Sequence, residues 1–366
     1  MRIMHKALKQ LALSVAFIIS CSVMGLAQTD VVRYSATEYG REGVVYYLPK
    51  SQLDIALSLV KTSIVPGEYA AYAPLLLGQK APVERQESYR IERAEVRSVG
   101  VPDEHYSYQV EFKASQPYSY VALTKTGILA GINGEPIPLQ KELDPSPFTP
   151  MREVVEPMFP REYALATSLG KRAQIAATYL FSLREDLMNL LSGKSEYAPR
   201  EGEAYTMAVA RLEAQIAAVE RLFVGTTTQE VETQHYRIEP EEEIHQRIIA
   251  RFSPVVGLLP ATSREGTPIT LDLRATRRAP LLSAEELAKQ ERKLRGIIYN
   301  VPGAALVQIR IQSQVLTETD LSITQFGSRA SLIDQIPKSK DTFFAIQFDT
   351  DTGALVSIGP QVHPAR

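Results

Sequence analysis

Residues 161–225 form the longest stretch of the chain with an unbroken helical period, and strand-like patterns lie on both sides of it. Leu165, Leu169, Ala173, Ala176, Leu180, Leu183, Leu187 and Leu190 follow one another at steps of four or three. That spacing sets them on one stripe of a helix. Gly193 suits a left-handed C-terminal cap, and Pro199 in the polar loop that follows stops the helix from continuing. A second stripe then runs through Ala204, Ala208, Leu212, Ile216, Val219 and Phe223 and closes at Gly225. Two amphipathic helices joined by a short loop predict an antiparallel hairpin. Such a hairpin serves as a core layer or spacer, or as an arm that offers a face to a partner helix.

The first 27 residues read as a secretory signal. Arg2, Lys6 and Lys9 precede an apolar run, Leu11 to Ser20, which is too short for a transmembrane helix. Gly25-Leu26-Ala27 is a small-x-small site, which puts cleavage between Ala27 and Gln28. A competing reading takes Ile18-Ile19-Ser20-Cys21 as a loose lipobox with Cys21 lipidated. Without the signal, 37 basic residues face 42 acidic ones, a net charge near −5. A weakly acidic chain gives no electrostatic case for nucleic acid. Cys21 is the only cysteine, so a mature chain starting at Gln28 has no disulfide, cysteine-zinc site or cysteine nucleophile. No transmembrane segment is expected in it.

Residues 28–150 are rich in β-branched and aromatic side chains, the mark of strands. Gly43 to Pro49 reads as a strand ended by proline, and Leu53 to Leu59 as a second, half-buried one. Pro102-Asp103 reads as a turn. Eleven of the 17 tyrosines lie between Tyr34 and Tyr120. Tyr69, Tyr72, Tyr106, Tyr108, Tyr118 and Tyr120 are the candidate interaction face, because tyrosine pairs an apolar ring with a hydroxyl that tolerates water; packing within sheets accounts for the same residues. Prolines crowd from Asn133 to Pro160 and predict an extended linker.

An internal echo follows the helices. Gly296-Ile297-Ile298-Tyr299-Asn300-Val301-Pro302 repeats the pattern of Gly43-Val44-Val45-Tyr46-Tyr47-Leu48-Pro49. Thr126-Gly127-Ile128-Leu129 resembles Thr352-Gly353-Ala354-Leu355, and Tyr89 to Glu92 resembles Tyr236 to Glu239. The fold expected is α+β. Two β-rich modules (28–150 and 226–366), related by duplication, are separated by a linker and helical hairpin at 151–225. Ser283-Ala284-Glu285-Glu286 reads as a capping box opening a short helix.

The chain resembles the exported Bacteroidota proteins grouped as domain of unknown function 4831. Tyr46-Tyr47-Leu48-Pro49-Lys50, Pro66-Gly67-Glu68-Tyr69-Ala70, Tyr72-Ala73-Pro74, Gly127-Ile128-Leu129, Phe223-Val224-Gly225 and Gln325-Phe326-Gly327 carry the likeness. It implies a cell-envelope protein of unknown activity, in the periplasm or associated with the outer membrane, and it brings no catalytic residue with it.

The residues themselves point to little chemistry. No nucleophile elbow, phosphate loop or dinucleotide fingerprint is present. His235 and His245 flank Glu241 to Glu243, a conceivable but loosely spaced metal set. No cofactor is implied. The expected role is a non-catalytic protein that binds another protein or a surface polymer of the envelope. The alternative is a carboxylate-based hydrolase acting on envelope or dietary glycan, which needs two acidic groups across a cleft.

Overall fold

The computed structural model describes residues 30–33, 43–111, 120–134, 155–194, 202–332 and 344–360. Ala27, Gln28, Cys21, Tyr118 and most of the proline-rich linker lie outside them. Three sheets dominate. The first has the order β1 (Asp30–Arg33), β3 (Gln86–Glu111), β2 (Gly43–Val65), β6 (Thr226–Ile238). The second has five strands: β11 (Gln314–Ser331), β10 (Ile298–Ile311), β9 (Thr267–Arg277), β7 (Ile244–Ser253) and β8 (Gly257–Pro260). The third is β13 (Leu355–Pro360), β12 (Phe344–Phe348), β5 (Leu129–Ile132) and β4 (Val121–Leu123). Every strand pairing within these sheets is antiparallel.

Strand pairing crosses the boundaries expected at 150 and 226. β6 follows the helices yet pairs with β2 from Leu53↔Ile238 to Val65↔Thr226. The third sheet joins β5 to β12, more than 200 residues away in sequence. Alternation explains the main core. Leu53, Ile55 and Leu57 of β2 point to one face and pack on Ile269, Leu271, Leu273, Val307, Ile309 and Phe326 of the second sheet. A second cluster gathers Tyr46, Leu48, Tyr108, Ile298 and Tyr299 against Ile346 and Phe348 of the third sheet.

Pro49 does not end a strand. β2 runs for 23 residues straight through it. Its pairing with β3 shifts register between Tyr47 and Pro49, and β6 reaches β2 only from Leu53 onward. At Pro49 the strand therefore has an open side and a bulge, the two settings in which proline is tolerated. Pro102 lies opposite Pro49, inside β3 rather than at a turn. Pro302 repeats the arrangement in β10: the register with β11 shifts between Val301 and Gly303, and β9 joins only at Ala304.

The helical stretch divides into α2 (Arg161–Leu165), α3 (Leu169–Leu191) and α4 (Glu203–Val224), after a short α1 (Ala73–Leu77). The predicted stripe begins too early. Ser168 caps α3 by accepting from the Lys171 N–H, so Leu165 falls outside that helix and is 69% exposed. Ala173, Ala176, Ala177, Leu180 and Leu183 of α3 pack with Val219 and Phe223 of α4. Tyr69 plugs this cluster, with its ring 5.5 Å from that of Phe223 and its hydroxyl on that of Tyr163. A Cβ on Gly67 would meet the Leu222 carbonyl oxygen at 2.4 Å, so Pro66-Gly67 allows the end of β2 to lie against α4.

Tyr46 ties the first sheet to the second. Its buried hydroxyl donates to the Ile298 carbonyl at 3.2 Å and accepts from the Ile298 N–H at 3.1 Å. Burial pushes its pKa far above the ordinary tyrosine value. A raised value in the folded state means that this stabilisation is complete below about pH 10 and fades as pH rises further. Tyr46→Phe is expected to cost about 1–3 kcal/mol at neutral pH. It should also lessen the loss of stability above pH 10, both checked by urea unfolding across pH 7–11.

Candidate functional site

A cleft opens where the first sheet meets β10, β11 and the helix α5 (Ala284–Lys293). It holds about 590 Å³ and is lined by Pro49, Lys50, Asp103, Tyr106, Arg278, Leu282, Asn300 and Phe326, among others. α5 forms where the capping box predicted it: the Ser283 hydroxyl accepts from the Glu286 N–H, and Glu286 reaches back to the Ser283 N–H. Bonds from the backbone N–H and the hydroxyl of Ser283 hold the Glu286 carboxyl below the usual range.

Three seams fix the walls. Ser51 is wholly buried and exchanges bonds with β11. Its N–H donates to Thr324 Oγ1 at 2.8 Å, its hydroxyl accepts from the Thr324 N–H at 3.0 Å, and its carbonyl accepts from Gln325 Nε2 at 2.8 Å. Asn300 Nδ2 donates to the Pro49 carbonyl at 2.8 Å and the Thr352 carbonyl at 3.0 Å. Arg329 on β11 lies over the Tyr106 ring, 3.7 Å from its centroid, and bonds Glu291 of α5 at 2.6 Å. One guanidinium thereby joins the first sheet, the second sheet and the helix.

On the rim, the Arg278 guanidinium sits 4.9 Å from the centroid of Phe326 and is exposed. Leu281 is 80% exposed and Leu282 43%. Both groove carboxylates are already engaged: Glu291 by Arg329, and Asp103 Oδ1 by the His105 N–H at 3.0 Å. The cleft therefore offers exposed cationic and apolar contacts beside a braced floor, and this suits an extended ligand with apolar and acidic groups.

Of the five candidate tyrosines among the described residues, Tyr106 and Tyr108 pack in one cluster and the other three lie elsewhere. Tyr106 lines the cleft. Tyr108 is buried against Tyr46, with centroids 5.7 Å apart. Tyr69 and Tyr72 belong to the helical cluster. Tyr120 is 60% exposed beside the third sheet. Sequence reasoning passed over Arg278, Arg329 and Asn300. The signals at hand were Tyr106 and the family stretches Tyr46 to Lys50 and Gln325-Phe326-Gly327, which supply parts of the cleft lining.

A second polar cluster lies on the outer face of the first sheet. Asp54 Oδ2 accepts from Arg97 Nη2 at 2.8 Å and Asp54 Oδ1 contacts His235 Nδ1 at 3.1 Å. Burial alone would raise the Asp54 pKa, but the bonds from Arg97 and His235 outweigh it and hold the carboxyl low. His235 is thus placed on Asp54, and no group of three metal-ligating side chains occurs among the described residues. No helix among the described residues is long and apolar enough to cross a membrane.

A family model described as a domain of unknown function (DUF4831) matches residues 42–356. The chain belongs to that family. No curated protein and no solved structure matches it. The family match spans the cleft, the seams that brace it and the helices, so these DUF4831 features lie within the shared domain.

Two expectations follow. A Cβ on Gly327 would come within 2.1 Å of the Val301 carbonyl oxygen and 2.8 Å of the Pro302 Cα. Gly327→Ala should therefore cost about 1–3 kcal/mol through displacement of the cleft wall, read as a lower urea midpoint. A lowered Asp54 value means that its contribution is present above the ordinary carboxylate range and lost as pH falls through the folded value. Asp54→Asn should flatten the fall in stability below about pH 4, measured by denaturation from pH 7 to pH 2.

Proposed function

We propose that this protein is an exported, non-catalytic binding protein of the cell envelope, which receives an extended protein or surface-polymer segment in the cleft beneath α5. The observation that carries the reading is the pairing of the exposed Arg278, stacked on Phe326, with the exposed Leu281 and Leu282 on one rim. Cation and leucines together favour a ligand that carries acidic and apolar groups in alternation. The hydrolase reading needs two carboxylates turned to a reacting bond, and of the two in this cleft Glu291 is paired with Arg329 while Asp103 holds the His105 N–H with one oxygen. Export rests on the basic and apolar start of the sequence, with cleavage before Gln28 or lipidation at Cys21.

The two β-rich halves are read as a duplication whose strands have since interleaved. Two backbone bonds support it: the Tyr47 N–H donates to the Gly127 carbonyl at 2.9 Å, and the Asn300 N–H donates to the Gly353 carbonyl at 3.1 Å. Both bonds join positions equivalent in the sequence echo. The helices α3 and α4 are read as an antiparallel hairpin. Leu190 near the end of α3 shares a cleft with Leu212 of α4, while Ala173 near its start clusters with Phe223.

Affinity capture from envelope extract tests the binding role. The intact protein is expected to retain a discrete partner, and Arg278→Glu to retain at least about tenfold less, given that like charge at an interface costs more than a lost contact. Equal capture by both proteins would remove the cleft from the explanation.

A further inference from the structure

Independently of the cleft, β6 presents a sheet edge left open among the described residues. It is 13 residues long, and every residue from Thr226 to His235 is exposed, on both faces of the sheet. No strand among the described residues pairs with its outer side. Exposed edges are ordinarily blunted by charged side chains (lysine above all), proline, bulges or short length, and here only Glu230, Glu232 and Arg237 are charged. The sequence Thr-Thr-Thr-Gln-Glu-Val-Glu-Thr-Gln-His-Tyr-Arg-Ile contains neither proline nor lysine, and its pairing with β2 shows no register shift. Glu230 and Glu232 are its only acidic residues, and they make the edge selective about register.

We propose that β6 pairs antiparallel with β6 of a second copy of this chain, about a two-fold axis beside Thr233. Among antiparallel self-pairings the charge pattern selects this register. A two-fold normal to the sheet keeps each side chain on its own face, so the axis must pass beside one residue paired with its own copy. Centring on Glu230 or Glu232 sets that carboxylate against itself. Centring on Val231 opposes Glu230 to Glu232 twice. Centring on Thr233 is the longest overlap, residues 228–238, that opposes no two carboxylates. It places Glu232 across from Gln234, Glu230 from Tyr236, Val231 from His235 and Gln229 from Arg237. Paired threonines at the axis are favourable across strands. The result is one continuous sheet of eight strands, four from each copy.

The full chain in a Cys21→Ser background tests this. At the axis, opposed Cα atoms lie about 4.5–5.5 Å apart, within disulfide reach. Thr233→Cys is therefore expected to form a covalent dimer under mild oxidation, and Val231→Cys is not. In sedimentation equilibrium, Gln234→Glu should weaken dimerisation about fivefold by facing Glu232 of the partner on both sides of the axis. Adding Glu232→Gln should restore it, a rescue that a general loss of folding cannot imitate. A chain that stays monomeric at the highest concentration reached, or cross-linking by Val231→Cys in place of Thr233→Cys, overturns the proposal. So does an edge that binds an unrelated strand-forming peptide but never itself.

Discussion

The structure depends on how the backbone of β2 is satisfied where it passes from one core to the other. Between Tyr47 and Pro49 the strand bulges against β3. Among the described residues, no strand pairs with its other side from Leu48 to Gln52. Backbone polar groups buried there without a partner would each cost about 1–3 kcal/mol. Side chains from the second sheet fill the gap: Asn300 takes the Pro49 carbonyl, while Thr324 and Gln325 take the N–H and carbonyl of Ser51. These bonds act as a short substitute ladder and join two sheets that are not otherwise paired edge to edge. They also set the cleft, since the same residues form its floor and one wall.

Glycines in this region answer to the same crowding. Gly327 passes so close to Val301 and Pro302 that a methyl group has no room, and Gly353 touches Pro49 and Asn300. Arg329 then locks α5 over the seam through Tyr106 and Glu291. The cleft is therefore braced by packing and by hydrogen bonds that do not need a ligand. The binding role proposed for it would draw on this, since a pre-formed cleft spends little ordering entropy on a ligand.

The helices and the sheet edge play different parts. Tyr69 and Gly67 anchor the helical cluster to the end of β2. The same β2 gives β6 its register over all thirteen of its residues. The strand that leaves the helices is thus held in line along an exposed margin that carries Glu230 and Glu232.

Much of this was legible in the chain itself. The helical stripes, the capping box at Ser283 and the strand-rich flanks follow from periodicity and local hydrogen-bonding chemistry, which act between near neighbours. The echo around Tyr46 and Tyr299 was visible as a repeated pattern of residues. Pro49 and Pro102 misled, because proline marks a strand end only where both sides are paired, and the missing neighbour is a matter of topology. The described tyrosines divide between two cores and the surface: alternation along β3 sets Tyr106 and Tyr108 together, but it does not bring separate segments to one face. The cleft was out of reach: Tyr106, Arg278, Glu291 and Arg329 meet only after the sheets and a helix have packed. The sequence by itself determined the helical periods and the strand-rich character of the flanks, because those preferences are local, but not where each strand ends. Only the tertiary structure decided that strands from both sides of the helices share sheets, and where the cleft opens, because both depend on contacts between residues far apart in the chain.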